Sequence, residues 1–172
     1  MDVMEAIRKR RSVRSYLPKE VEKEKLDLIL EAARLAPSAK NFQEWRFVVV
    51  RDKETRHRLM AAANNQAFIT QAPLVVVCCA ETDNYVMRCG QLTYPIDVAI
   101  AIEHMVLKAT EEGLSACWIG SFYEDKVREV LNIPPHIRVV ELLVLGYPDA
   151  ETESKKNRLP LDEIVMYEKW TK

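Results

Sequence analysis

The sequence predicts one domain in which helices and strands are layered, of the α/β or α+β class. Three observations carry this reading. Four apolar runs of strand length (RFVVV, LVVVCCA, LSACWIG and RVVELLVLGY) are spread along the chain. The segments between them place apolar residues at helical spacing. No internal repeat, low-complexity segment or linker divides the 172 residues. Strands alternating with helices define a layered core, but the alternation fits a parallel and an antiparallel sheet equally.

Each element follows from local chemistry. Asp2 and Glu5 form a D-x-x-E pair that resembles a capping box, ahead of Val3, Met4 and Ile7 on one side of a short helix. Its last turn carries Arg8, Lys9 and Arg10, where the helix dipole favours cations. Ser12 to Tyr16 reads as extended. Leu26, Ile29, Leu30 and Ala33 recur at helical spacing among Glu24, Lys25, Asp27 and Glu31, and that helix must stop before Pro37. APSAKNFQEW has loop chemistry and leads into the first strand. Asp52 is placed to cap a helix through about Ala63, and the second strand follows Pro73. Pro95 opens a long helix to about Glu112, apolar on several sides through Ile96, Ala99, Ile100, Ile102, Met105, Val106 and Ala109. Such a helix belongs in the centre of the fold or at a subunit interface. Gly113 ends it. The third strand, a short amphipathic helix from Glu124 to Leu131 and the fourth strand complete the core, before a polar tail and LPLDEIVMYEKW.

Composition excludes several classes. Hydrophobic residues make up 48% and charged residues 30%, an ordinary globular balance. With 25 basic against 26 acidic residues there is no basic excess of the kind a nucleic-acid surface shows. MDVMEAIRKRR carries charges where a signal peptide needs an apolar core, and no apolar run reaches the roughly 18 residues of a membrane span. Cys78, Cys79, Cys89 and Cys117 show no C-x-x-C spacing, so they read as free thiols of a reduced, cytoplasmic protein. The only glycines, Gly90, Gly113, Gly120 and Gly146, are too scattered for a G-x-G-x-x-G loop or a P-loop. A phosphate held here must be gripped mainly by side chains.

GLSAC approaches a nucleophile elbow, but Cys117 stands where the second glycine belongs, and the strand follows the serine instead of preceding it. His57, His104 and His136 lie apart without metal-ligand spacing, and the adjacent Cys78 and Cys79 point to opposite faces of a strand. No metal site is expected. RKRRSVR, Arg8 to Arg14, is the strongest local feature. Its plain reading is a solvated helix end; its functional readings are a nucleic-acid arm, which no second basic stripe supports, or a clamp for one anion. KKNR at 155–158 favours the clamp, because two basic clusters converging on a phosphate replace the missing glycine loop.

Five stretches in order now matter together: RRSVR at 10–14, APSAKNFQEWRF at 36–47, NNQ followed by APLVVV within 64–77, GLSACWIG at 113–120 and KNRLPL at 156–161. The chain thereby resembles the nitroreductase family of FMN-dependent oxidoreductases over nearly its whole length. The resemblance implies an α+β three-layer sandwich, with a mostly antiparallel sheet flanked by helices, in an interlocked homodimer. It implies FMN at the subunit interface, NADH or NADPH as electron donor, and a small-molecule acceptor such as a nitroaromatic or quinone. By position, Arg10, Arg11 and Ser12 correspond to phosphate and ribityl ligands, completed by Lys156 and Arg158. Arg14 corresponds to a cation near flavin N1 and O2, and Asn65 to a pyrimidine contact that neighbouring Gln66 could equally supply. Pro37, Ser38, Ala39 and Asn41 correspond to a loop crossing the interface. Trp118, Ile119 and Gly120 correspond to a strand end beside N5.

The implied chemistry is hydride transfer onto the flavin and ping-pong delivery to the acceptor, with no catalytic side chain assigned. Residues 1–172 form one FMN-binding domain whose tail, from about 149, packs on the partner. The alternatives are another flavin reaction of the same family and a flavin carrier without turnover. Glu81 to Thr93 is too short for the lid domain of the dehalogenating members.

Overall fold

The computed structural model describes residues 1–149 and 156–171. Strands β1 (Trp45–Val50), β2 (Leu74–Glu81), β3 (Ser115–Ile119) and β4 (Ile137–Gly146) form one sheet in the order β1-β2-β4-β3. Every neighbouring pair is antiparallel, which decides between the two sheet types that the sequence pattern allowed.

Helices cover both faces. On one, α2 (Lys23–Arg34) and α5 (Thr93–Glu111) bury Ile29, Ala33, Val98, Ile102 and Met105 against Leu74, Val76, Cys78, Leu143 and Leu145. On the other, α3 (Lys53–Ala62), α4 (Phe68–Gln71) and α6 (Glu124–Leu131) bring Leu59, Phe68, Ile69 and Val127 onto Val75, Val77, Cys79, Leu142 and Val144. The result is the three-layer sandwich that the resemblance implied. The central strands β2 and β4 are covered on both faces, which is why they read as unbroken apolar runs instead of alternating ones. Cys78 and Cys79 enter opposite layers as free, buried thiols. Each large buried aliphatic contributes about 1.5–3 kcal/mol. The ladder shifts register between these cysteines: Cys78 pairs with Glu141 and Cys79 with Val139, so β4 carries one extra residue.

The caps behave as the sequence predicts. The Asp2 carboxylate accepts from Glu5 N at 2.7 Å to open α1 (Val3–Lys9), and Asp52 accepts from Thr55 N at 2.7 Å to open α3. α5 starts two residues ahead of Pro95, which is tolerated in a first turn because no intrahelical acceptor awaits its missing N–H. Gly113 ends the helix with φ +77°, a conformation that costs glycine nothing. α4 and the four-residue α7 (Leu161–Ile164) are too short to leave a periodic signature.

The segment after α1 lies along the sheet. Val13 N donates to Ala116 O at 3.2 Å and Leu17 N to Tyr147 O at 2.9 Å. Tyr16, buried, donates its hydroxyl to Val13 O at 2.7 Å. A Cβ on Gly146 would stand 2.6 Å from Pro73 Cδ and 3.0 Å from Tyr16 Cδ1, so glycine is required for this close approach. Among the described residues, no helix is long and apolar enough to cross a membrane.

Candidate functional site

The C-terminus of α1 gathers the cations. Arg10 ends the helix, its N–H donating to Ala6 O at 2.8 Å and its Nε lying 3.9 Å from Glu103 Oε1 on α5. Arg11 folds back, Nη1 donating to the carbonyls of Arg8 (2.7 Å), Lys9 (3.3 Å) and Arg10 (3.0 Å). Those are the acceptors a helix end leaves open. Lys156, 149 residues along the chain, donates to a further carbonyl of α1, Ile7 O, at 2.7 Å. Arg158 Nη1 donates to Asn157 O at 2.9 Å. Burial lowers the pKa of the Lys156 ammonium, and the charges of Arg11, Arg10 and Arg158 lower it further. The carboxylate opposing them is Glu103, whose own pKa burial raises while Arg10 and Lys156 lower it. Arg10 and Lys156, from opposite parts of the chain, therefore meet beside Glu103, with Arg11 and Arg158 close to Lys156. Arg11 Nε is buried without a hydrogen-bond partner.

From there β3 leads away as the outer strand of the sheet. Ser12 and Val13 pair with it only at Ala116, in parallel. Among the described residues no other segment pairs with that edge, so the backbone groups of Cys117 to Ile119 are available along it. Arg14, exposed, lies near the middle of the strand: burial raises the Cys117 thiol pKa and the Arg14 charge partly offsets this. Gly120, exposed, stands roughly 13 Å beyond Ala116 at strand rise.

The far end is held by side-chain amides. Asn64 Nδ2 donates to Ser121 Oγ at 2.7 Å, and Gln66 Nε2 to Ser121 O at 3.4 Å. Asn64 and Asn65 take left-handed backbone conformations, φ 53° and 56°, which Asn tolerates better than most residues. This turn sets the exposed Asn65 beside the end of β3. Glu141 of β4 reaches the same place: a Cβ on Gly120 would lie 3.6 Å from either of its carboxylate oxygens. Burial pushes the Glu141 acid up to about 7.

The Pro37–Asn41 loop is a separate element fixed to α5. Ala39 N donates to both oxygens of buried Asp97, at 3.2 and 3.1 Å, and Ser38 Oγ accepts from Gln43 N at 3.0 Å. Lys40, Asn41 and Gln43 are all left-handed, at φ 49°, 58° and 52°. Three non-glycine residues in this region within four positions cost free energy that the loop's anchors must offset. Glu103 and Asp97, six residues apart on α5, tie the basic cluster and this loop to one helix about 9 Å apart along its axis.

The structure thus brings Arg10, Arg11, Lys156 and Arg158 into one cluster and joins it through Ser12 to β3. It places Arg14, Trp118, Ile119 and Gly120 along that strand and Asn65 at its end. It leaves Pro37, Ser38, Ala39 and Asn41 on their own loop within one protomer. Lys155, part of the KKNR cluster, lies outside the described residues. Sequence reading passed over Asp97, Asn64, Ser121 and Glu141. Glu141 did leave a signal, a lone acid inside the apolar run VVELLVLG. Among the described residues no group of acids, thiols and imidazoles is arranged to hold a metal.

A four-stranded antiparallel sheet between two helical layers, with a cationic cluster at the head of an outer strand, defines an α+β sandwich without a glycine-rich phosphate loop. The chain belongs to the nitroreductase family: the model of that family, described as "Nitroreductase family", matches residues 7–94 and 61–147. It is 38% identical to a nitroreductase family protein of Clostridium difficile, with a TM-score of 0.89 over 99% of this chain and 100% of that one. A second C. difficile structure, an FMN-dependent nitroreductase, is 34% identical with a TM-score of 0.82 over 97% of this chain and 99% of that one. An NADH dehydrogenase of Thermus thermophilus is 32% identical, the match covering 97% of this chain and 96% of the relative.

Proposed function

We propose that the chain is an FMN-dependent oxidoreductase that draws electrons from NADH or NADPH and reduces a nitroaromatic, quinone or similar small acceptor. The observation that carries this is the convergence of Arg10, Arg11, Lys156 and Arg158 around the unpartnered Arg11 Nε, at the head of the free β3 edge. The FMN phosphate suits this cluster: it supplies two negative charges and several acceptors to four cations. Lys156 and Arg158 close the cluster from the tail, and Ser12 fixes its distance from the strand. Arg14 and Asn65 then meet the pyrimidine side, and the backbone of Trp118, Ile119 and Gly120 meets the rest of the ring.

Bound there, FMN would supply hydride acceptance from the nicotinamide and electron delivery to the acceptor, and two substrates using one site would alternate in ping-pong order. The residues would neutralise the phosphate by charge and position the ring. None is required as a nucleophile.

The reading includes a homodimer with the flavin between subunits. The tail supports it: Leu161 is 74% exposed, Tyr167 81% and Trp170 77%, as is Val3 on α1 at 72%. Apolar exposure on this scale marks a surface that another chain covers. The Pro37–Asn41 loop then serves the partner's flavin. The test is direct. Purified protein is expected to be yellow with an FMN absorbance spectrum, and anaerobic NADH or NADPH to bleach it. A colourless protein that takes up no FMN overturns the reading, while a yellow protein that neither nicotinamide bleaches leaves a flavin carrier.

A further inference from the structure

Glu141 occupies a place where structure alone gives no reason for an acid. Along β4, Leu143 and Leu145 on the same face are fully buried, and its cross-strand partner Cys78 is buried too. The carboxyl is half-buried and makes no hydrogen bond or ion pair among the described residues. Among the described residues no cation compensates it. From β2 the Cys78 thiol faces it, while the Cys117 thiol of β3 lies in the opposite layer and feels its charge through the sheet. Arg138, earlier on β4, is engaged by Glu124 of α6 at 3.0 Å. Asp97 of α5 is bound to Ala39. Burying a polar group without a partner costs on the order of 1–3 kcal/mol, and an apolar residue at this position would avoid that. The carboxyl instead lies over Gly120, whose missing side chain leaves it open toward the end of β3.

We propose that Glu141 is a further cofactor-binding residue, meeting the flavin ring as a neutral carboxylic acid that donates a hydrogen bond. This rests on the FMN reading above. Flavin ring edges are rich in acceptors, so the acid form matches them and the carboxylate does not. Burial already holds the free acid near neutrality, at about 7, so binding above that pH draws one proton from solvent onto Glu141. No bond to carbon changes and no electrons move. FMN binding is thereby linked to pH at the ring end, independently of the phosphate.

The experiment titrates apo-protein with FMN, and separately with riboflavin, by flavin fluorescence at pH 6 and pH 8, for wild type and Glu141→Gln. Riboflavin lacks the phosphate, so its pH dependence is free of phosphate titration. The wild-type Kd for riboflavin is expected to rise about tenfold from pH 6 to pH 8, one decade per pH unit above the acid's midpoint. Glu141→Gln, which keeps a donor at all pH values, is expected to bind with a nearly constant Kd. Calorimetry of the wild type at pH 7.5 in buffers of different ionisation heat gives a check that needs no variant: more than half a proton is taken up per riboflavin bound. Equal pH dependence in both proteins, or no proton uptake, overturns the proposal while FMN binding itself stands. Failure of the wild type to bind either flavin overturns the underlying reading and this one with it.

Discussion

At the Ser12 end of β3 stand Arg10, Arg11, Lys156 and Arg158 with Glu103 beside Arg10 and Lys156, whereas the Gly120 end carries the half-buried acid Glu141. The first end is assembled from the two termini of the chain, folded onto a helix C-cap. The second is built into the sheet, on β4 and the turns flanking β3. On the proposed reading the difference divides one ligand between two kinds of contact: the charged end would grip the FMN phosphate, while backbone and short polar side chains at the Gly120 end would frame the ring. Arginine and lysine act through charge and tolerate small displacements, but hydrogen bonds to a ring edge need fixed donors.

The largest expected effect comes from emptying the charged end. Arg10→Ala combined with Arg158→Ala removes two charge-assisted contacts of about 1.5–3 kcal/mol each, so FMN affinity should fall by roughly two to four orders of magnitude. Arg158 is exposed and Arg10 only partly buried, so circular dichroism and size-exclusion chromatography should show an unchanged fold and oligomeric state. A double variant that still purifies with stoichiometric flavin would break the comparison, because the cations would then be mere helix-end compensation.

Much of the charged end was legible in the sequence, since RKRRSVR and KNR are local and few physical purposes suit that density of charge. The strands were legible for the same reason: β2 and β4 are buried on both faces and show as continuous apolar runs. Antiparallel pairing was not, because strand order depends on connections that leave no local pattern. The ring end was less readable. Asn64 works by a hydrogen bond to Ser121, 57 residues away, and Asp97 by holding Ala39, 58 residues away. Such pairings appear only once the chain is folded. Glu141 was visible as an anomaly in an apolar strand, but its meaning depends on the bare Cα of Gly120 on the next strand.

A second test separates how the two ends are anchored. Gly146→Ala drives a methyl into Pro73 and Tyr16, and with it the segment that carries Ser12 and Arg14 to the sheet. Destabilisation of about 1–3 kcal/mol is expected from overpacking, read as a lowered denaturant midpoint. A neutral result would mean that Tyr16 swings away freely and the segment is not pinned there.

Glu124 anchors the opposite end, tying α6 to β4 through Arg138 at 3.0 Å, Val139 N at 2.9 Å and Arg128 at 2.6 Å. Burial alone would raise its pKa, but these hydrogen bonds outweigh that and pull it down to about 2 from an ordinary 4.5. A depressed acid contributes stability that is present above 4.5 and is lost as pH falls toward 2. Glu124→Gln should therefore cost about 1–2 kcal/mol at pH 7, less than its charged hydrogen bonds suggest because the site is partly solvated. The difference from wild type should vanish near pH 2. A penalty of constant size down to that pH would show packing, not charge, to be the cause.

The smallest effect concerns Glu141 in the absence of any ligand, and its sign is opposite. Its folded pKa is raised by burial from 4.5 to about 7. The charged form is thus disfavoured in the folded state, so the acid costs no stability below about 4.5, costs progressively more up to 7, and a constant amount above. Glu141→Gln should leave the apo-protein unchanged at pH 4.5 and raise its stability at pH 8.5. The ceiling set by the shift is about 1.4 kcal/mol per pH unit, and solvent reaching the carboxyl past Gly120 reduces it to on the order of 1 kcal/mol. Paired denaturant titrations at the two pH values decide it. A stabilisation that is the same at both would locate the effect in side-chain packing, and would leave the ring end without the buried acid that sets it apart from the charged end.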